Sequence, residues 1–207
     1  RIVYGRSQGA RVRVLRWLSN IWMLILIFQP VLITRGYRLA HRLIGRTALI
    51  VAFGFVLSGV LLTHFRVSRL TEAAFAKEGV YIYLPLAIVL LFAVACFLGF
   101  RWRRSMPVHA RFMLSTALLL LDPVLSRIMF FYAPPLPSEN FYQGITFTLI
   151  AAVMVYFVNS LPRQAPGRVW YRNYCLGTGA VFALYFAVPY TGAWLAFANW
   201  FRALPLT

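Results

Sequence analysis

The sequence predicts an all-α fold: a polytopic integral membrane protein built as a six-helix transmembrane bundle, with residues 1–207 forming a single transmembrane domain. Three observations predict it. Of the 207 residues, 61% are hydrophobic and 12% charged, and the mean hydropathy is +0.74, which leaves too little polar surface for a soluble domain of this size. The apolar residues fall in long continuous runs rather than alternating, which argues against a closed β-barrel. The charged residues gather in the short stretches between those runs.

The first run, about 17–34, lies between Arg16 and Arg35. The second, about 44–65, ends before Arg66. It is preceded from near Tyr37 by an amphipathic turn or two carrying Arg38, His41, Arg42 and Arg46, in which helical phase sets His41, Gly45 and Ala48 close to one face. The third, about 79–100, lies between Glu78 and Arg101. The fourth, about 112–133, contains Asp122 and Arg127, and the fifth spans about 141–161. The sixth, about 173–201, contains Pro189, which removes one intrahelical hydrogen bond and predicts a kink. Its Gly177, Gly179, Ala180, Ala183 and Ala187 allow close helix contact. Each run reaches the roughly 17–20 residues needed to cross a hydrocarbon core.

Arginine distribution sets the expected topology. The first, third and fifth loops carry eleven arginines: Arg35, Arg38, Arg42, Arg46, Arg101, Arg103, Arg104, Arg111, Arg163, Arg168 and Arg172. The second loop has Arg66, Arg69 and Lys77, offset by Glu72 and Glu78. The fourth, with Pro134, Pro135 and Pro137, has only Glu139. The odd loops are therefore expected to share the cytoplasmic side of a bacterial inner membrane. The N-terminal run Arg1, Arg6, Arg11, Arg13 and Arg16 then falls outside, against the rule. An interfacial amphipathic segment or an extra upstream helix would relieve that conflict. The first residue is not Met, which leaves room for an upstream segment, and the run Trp17 to Ile33 lacks a following cleavage pattern and reads as a retained span.

The net charge of +17 is accounted for by topology and by anionic phospholipids as partners rather than by nucleic acid. Cys96 and Cys175 lie inside apolar runs with no paired metal spacing, so neither a disulfide nor a CxxC site is expected. Trp17, Trp102, Trp170, Tyr171 and Trp200 fall near span ends, where interface anchoring is the ordinary role, while Trp194, Tyr185 and Tyr190 lie deeper and are expected in core packing, with the lining of a cavity as the alternative. Walker A, dinucleotide-binding, GxSxG and HExxH motifs are absent from the sequence.

His41 and His109 precede different spans and are expected at one membrane surface, where imidazoles serve as metal or haem ligands, or as interfacial caps and headgroup contacts. His64 stands 23 residues after His41, about 34 Å along a helix. It cannot share a metal with His41 unless the helix breaks, and it is expected as a lone interfacial histidine, with membership of a second site as the alternative. Asp122, mid-span before Pro123, is costly to ionise in hydrocarbon unless paired or hydrated. Arg127, five residues on, is not an ideal helical partner. Arg127 reached through water, or a residue from another helix, is the expected partner, and Ser126 one turn on is placed to join either arrangement. The alternatives are proton, ion or ligand handling and a structural polar network.

His41-Arg42-Leu43-Ile44-Gly45-Arg46, His109-Ala110-Arg111-Phe112-Met113 and the continuation through Leu121-Asp122-Pro123 to Arg127 resemble segments of a group of small bacterial multi-span membrane proteins of unknown function. The resemblance covers about residues 37–130, and some relatives in that group are linked to haem-copper oxidase assembly. It implies His41 and His109 as haem or metal contacts, with haem b as the cofactor. Arg42, Arg46, Arg104 and Arg111 would then neutralise the propionates. The expected function is a haem- or metal-binding membrane protein of electron transfer or respiratory oxidase maturation. The alternatives are a non-catalytic accessory subunit of a larger membrane complex, or a small proton-coupled transporter using Asp122 and the kinked sixth span. A membrane enzyme stays open, without a nameable substrate.

Overall fold

The computed structural model describes residues 6–132 and 139–207. All regular structure among them is helical: α1 (Arg6–Thr34), α2 (Arg38–Ser68), the short α3 (Glu72–Glu78), α4 (Tyr83–Arg101), α5 (Met106–Tyr132), α6 (Glu139–Asn159), α7 (Arg168–Leu184) and α8 (Gly192–Ala203). Short 3-10 turns at Gly79–Ile82 and Val188–Tyr190 precede α4 and α8. Five helical stretches are long and apolar enough to cross a membrane, or six if the broken α7–α8 pair is one span.

The expected runs all fall on helices, with two differences of extent. The first helix starts well before its charge-free window, at Arg6, because arginine is a good helix former and its stem packs on apolar surface while the head stays polar; α2 starts at Arg38, as the amphipathic turns from near Tyr37 predict. Arg11, for example, lies over the Phe65 ring at 4.3 Å, and Arg69 lies over the same ring at 4.1 Å. The sixth run is not one kinked helix. It ends at Leu184 and resumes at Gly192, where Thr191 caps α8 by accepting a hydrogen bond from the Trp194 amide. Pro189 does more than bend a helix here; it sits in the separate turn between two. Pro134, Pro135 and Pro137 of the fourth loop lie outside the described residues, as does Arg1.

The chain divides into two compact units, residues 1–93 with 188–207, and residues 94–187. In the first, Val67, Phe75, Ile82, Ala198 and Phe201 form a core where α2, α3 and α8 meet. The second loop is thereby folded: α3 is capped by Thr71, and Arg202 of α8 donates to the Leu70 carbonyl (2.9 Å) while pairing with Glu72 (2.9 Å). Arg66 pairs with Glu78 at 3.6 Å. Trp194, expected in the core, packs edge-on against Tyr83 and donates its indole N–H to the Gly79 carbonyl. Trp22 and Phe55 close on Phe92, with ring centroids 5.1 and 4.5 Å away.

In the second unit α5 and α6 run antiparallel: Arg111 near the start of α5 reaches Phe157 and Ser160 at the end of α6, while Asp122 meets Gln143 near the start of α6. The Phe147 ring of α6 stacks on Phe182 of α7 at 4.1 Å. Tyr171 of α7, expected as an interface anchor, is instead fully buried. It packs edge-on to Phe112 and shares a 3.0 Å hydrogen bond with Ser115 of α5. Its hydroxyl finds an interior partner, so burial no longer leaves an orphaned polar group.

Two glycines of α2 separate packing from helix propensity. A Cβ on Gly59 would lie 2.7 Å from Cγ2 of Val89, a β-branched side chain with little freedom to yield, whereas one on Gly45 would meet nothing within 4 Å. Gly59→Ala is expected to destabilise by about 1–3 kcal/mol. Gly45→Ala should stabilise by up to about 1 kcal/mol. Thermal unfolding of the two variants in one detergent checks the opposite signs.

Candidate functional site

Six of the eight buried polar or charged residues among those described lie in the second unit: Ser115, Thr116, Asp122, Gln143, Thr146 and Thr178. The hydroxyl groups mostly satisfy themselves on their own helices. Thr146 and Thr178 donate to the carbonyls four residues back, as Ser115 does to Arg111. Asp122 and Gln143 are different, because they answer each other across two helices.

Ser115, Leu119, Asp122 and Ser126 follow one stripe of α5 at the i, i+4, i+7, i+11 spacing that keeps a helix face aligned. Gln143, Thr146, Ile150 and Met154 trace the matching inward stripe of α6, all buried. Where the stripes meet, Gln143 donates its amide N–H to Oδ1 of Asp122 at 2.6 Å. Asp122 is 1% exposed. Ser126 donates back to the Asp122 carbonyl at 3.0 Å rather than to its carboxylate. The helix continues through Pro123. Arg127 is exposed, and no Asp122–Arg127 ion pair occurs among the described residues. The residue from another helix is Gln143. It is neutral, so the carboxyl group sits in the interior with an amide and, among the described residues, no cation. The 660 Å³ groove of this unit, between α6 and α7, is lined by Phe141, Phe147, Phe182 and Phe186 and does not include the pair.

Gln143 was not among the sequence candidates. Its signal was available: a lone long amide, three residues before Thr146, inside an otherwise apolar window. What the sequence lacked was the rotation of α6 about its axis, which decides whether that amide faces α5.

The expected haem or metal residues are distributed over both units. His41, in the first turn of α2, is half-buried; its Nδ1 is buried with no hydrogen-bond partner, beside Gln29 of α1, which donates to the His41 carbonyl at 3.4 Å and whose own Oε1 is also buried and unpaired. Arg42 bonds back to the Arg38 carbonyl, and Arg46 is exposed. His109 belongs to the second unit and donates from Nδ1 to the Gly99 carbonyl at 2.8 Å, tying the end of α4 to the start of α5. Arg111 is committed to oxygens: the carbonyls of Pro107, Phe157 and Ser160 and the Ser160 hydroxyl, at 2.9–3.1 Å. Its charge thereby caps the carbonyl end of α6. Arg104 is exposed and has no partner among the described residues. As a fit to haem, the orphan nitrogen of His41 suits a ligand. No group of three or more His, Cys, Asp or Glu suited to holding a metal ion exists among the described residues. Both cysteines are free.

His64 departs from the expectation of an interfacial histidine. It is 1% exposed, hydrogen-bonds through Nδ1 to the Thr207 hydroxyl at 2.7 Å, lies edge-on to Phe201, and has a buried, unpartnered Nε2. The apolar face of α8 covers it, a long-range contact that local sequence around His64 does not encode.

No protein-family model, curated protein or solved structure matches the chain.

The pairing of Asp122 with Gln143 has a measurable signature. Gln143→Leu and Asp122→Leu each strand the other partner in the interior and should cost about 1–3 kcal/mol. The double variant should cost less than the sum of the two by about 1 kcal/mol. Reversible unfolding in detergent, run as a double-mutant cycle, measures that coupling; strict additivity would mean that the two side chains do not interact.

Proposed function

We propose that this chain is a multi-pass protein of the bacterial inner membrane, a six-span helical bundle that works as a small proton-coupled carrier, with Asp122 as the group that takes up and releases the proton. The observation that carries this reading is the buried Asp122 carboxyl, whose interior partner is the neutral Gln143 amide. A structural ion pair would supply a cation. A carboxyl facing only an amide has no fixed counter-charge, so gaining or losing a proton changes the net charge of the helix interior. Gln143 can serve both forms, donating to the carboxylate or, with its amide turned, accepting from the acid. Gly144 and Gly179 line the groove between α6 and α7, and a Cβ on Gly179 would meet nothing within 4 Å, so the helices have room to move there.

A second reading, a haem- or metal-binding protein of electron transfer or oxidase maturation, is favoured by the buried, unpartnered Nδ1 of His41. Haem b would supply one-electron chemistry, with His41 as a ligand. An oxidised-minus-reduced spectrum of protein from haem-replete cells distinguishes the two: the carrier is colourless, whereas a haem protein shows a Soret band that His41→Ala removes.

For the carrier, proteoliposomes holding an internal pH dye are challenged with gradients of organic acids, amino acids and sugars. At least one solute should drive a change in lumenal pH. Asp122→Asn should reduce that flux at least about 100-fold, in line with the loss of a positioned acid–base group, while Arg46→Gln leaves it unchanged. Infrared titration of the same samples should show one carboxylic-acid band missing from Asp122→Asn. A variant that keeps both flux and band would exclude Asp122 from proton handling.

A further inference from the structure

Two loops of the second unit face each other. One, 101–107, runs from the last residue of α4 through the turn into the first two residues of α5; the other, 160–167, joins α6 to α7. Between them lies an open pocket of about 540 Å³, lined by Arg101, Trp102, Arg104 and Met106 from one loop and Gln164 and Pro166 from the other. Its volume falls within the range of small-molecule sites, about 300–1,000 Å³.

The wall of this pocket is built rather than incidental. Gly167 adopts φ +87°, a left-handed conformation open chiefly to glycine. A Cβ there would lie 2.6 Å from the Trp102 indole, so backbone and ring are in direct contact. The Arg101 guanidinium lies 5.2 Å from the same ring, and the indole N–H is buried without a hydrogen-bond partner. Both loops also lead into helix N-termini, those of α5 and α7, the ends of the helices that carry partial positive charge.

Charge and polarity together select the ligand. The two loops and the first residue of α7 hold Arg101, Arg103, Arg104, Arg163 and Arg168, and residues 94–187 contain only two acidic residues, Asp122 and Glu139. Neither of the two ion pairs among the described residues involves these arginines. Among the described residues this cationic charge is not neutralised by an ion pair, and it calls for an anion. A free inorganic anion would have no use for the rest of the lining, where Trp102, Met106, Pro107, Pro162, Ala165 and Pro166 present apolar surface beside the guanidinium groups. An amphiphile with a phosphate head and an apolar body uses both.

We propose that this pocket is a binding site for an anionic phospholipid, its phosphate held by Arg101 and Arg104 and its glycerol region laid against Trp102 and Met106. The assignment rests on the membrane-spanning reading above, which places helix ends at headgroup depth, where tryptophan and arginine are at home. It is independent of what Asp122 does.

The test uses the full-length chain in phosphatidylcholine nanodiscs containing a small fraction of phosphatidylglycerol with a photoreactive group on its headgroup. After illumination and proteolysis, cross-links should concentrate on residues 101–107 and 160–167. Unlabelled phosphatidylglycerol should compete; inorganic phosphate should not. Arg101→Gln with Arg104→Gln should weaken competition by about 30-fold, from the contribution of two arginines at an anionic surface. Arg35→Gln with Arg38→Gln removes the same charge elsewhere and should change it less than about three-fold. Labelling spread evenly over the chain, or an equal loss in both double variants, overturns the site. Competition by millimolar phosphate reassigns it to a soluble phosphate and overturns the lipid. Protease protection in the same nanodiscs reports membrane insertion separately, so a chain that inserts without selective labelling refutes this site alone, and one that fails to insert refutes the membrane reading.

Discussion

The α5–α6 pair is fastened at both ends by polar contacts in a segment that otherwise offers interchangeable apolar side chains. At one end Arg111 gathers the last carbonyls of α6. Toward the other, Gln143 donates to Asp122. Leucine against phenylalanine packs tolerably in many registers; a guanidinium over a specific set of carbonyls and an amide on a specific carboxylate do not. Each misregistered alternative would bury a polar group without a partner. The two fastenings therefore select one rotation and one offset for this helix pair, and that choice turns the stripe Ser115–Ser126 inward, where Ser115 can meet Tyr171 of α7.

The first unit is organised differently. Its polar contacts lie mainly around the loop between α2 and α4, where Arg202 reaches Leu70 and Glu72 and Trp194 reaches Gly79. These bonds fold α8 over the end of α2 and bury His64. The interior of this unit is aromatic, as the Trp22, Phe55 and Phe92 cluster shows. The chemistry that a buried charge requires is thus concentrated in the second unit, along with the basic pocket at the helix ends.

Arginine has three distinct uses in this chain, which net charge alone does not separate. Arg111 and Arg202 are structural, spending their donors on carbonyl oxygens. Arg11 and Arg69 cover an aromatic ring. Arg101 and Arg104 line a pocket. The sequence grouped Arg104 and Arg111 together because both lie near His109; the folded chain gives them opposite roles, one exposed at a cavity and the other consumed by the end of α6.

What the sequence determined by itself was the helical architecture and the presence of an unusual carboxyl group. Apolar runs of about 20 residues satisfy their backbone hydrogen bonds within the run only as helices. An aspartate inside such a run is conspicuous whatever surrounds it. Tertiary structure alone decided the partners: that Asp122 meets Gln143 rather than Arg127, that Tyr171 and His64 are interior, that the sixth run is two helices, and that two arginine-bearing loops make one pocket. The physical reason is the same in each case. Hydropathy and period are local properties of a strand of sequence, whereas the rotation of a helix about its axis and the choice of neighbour are settled by contacts between residues as far apart as His64 and Thr207.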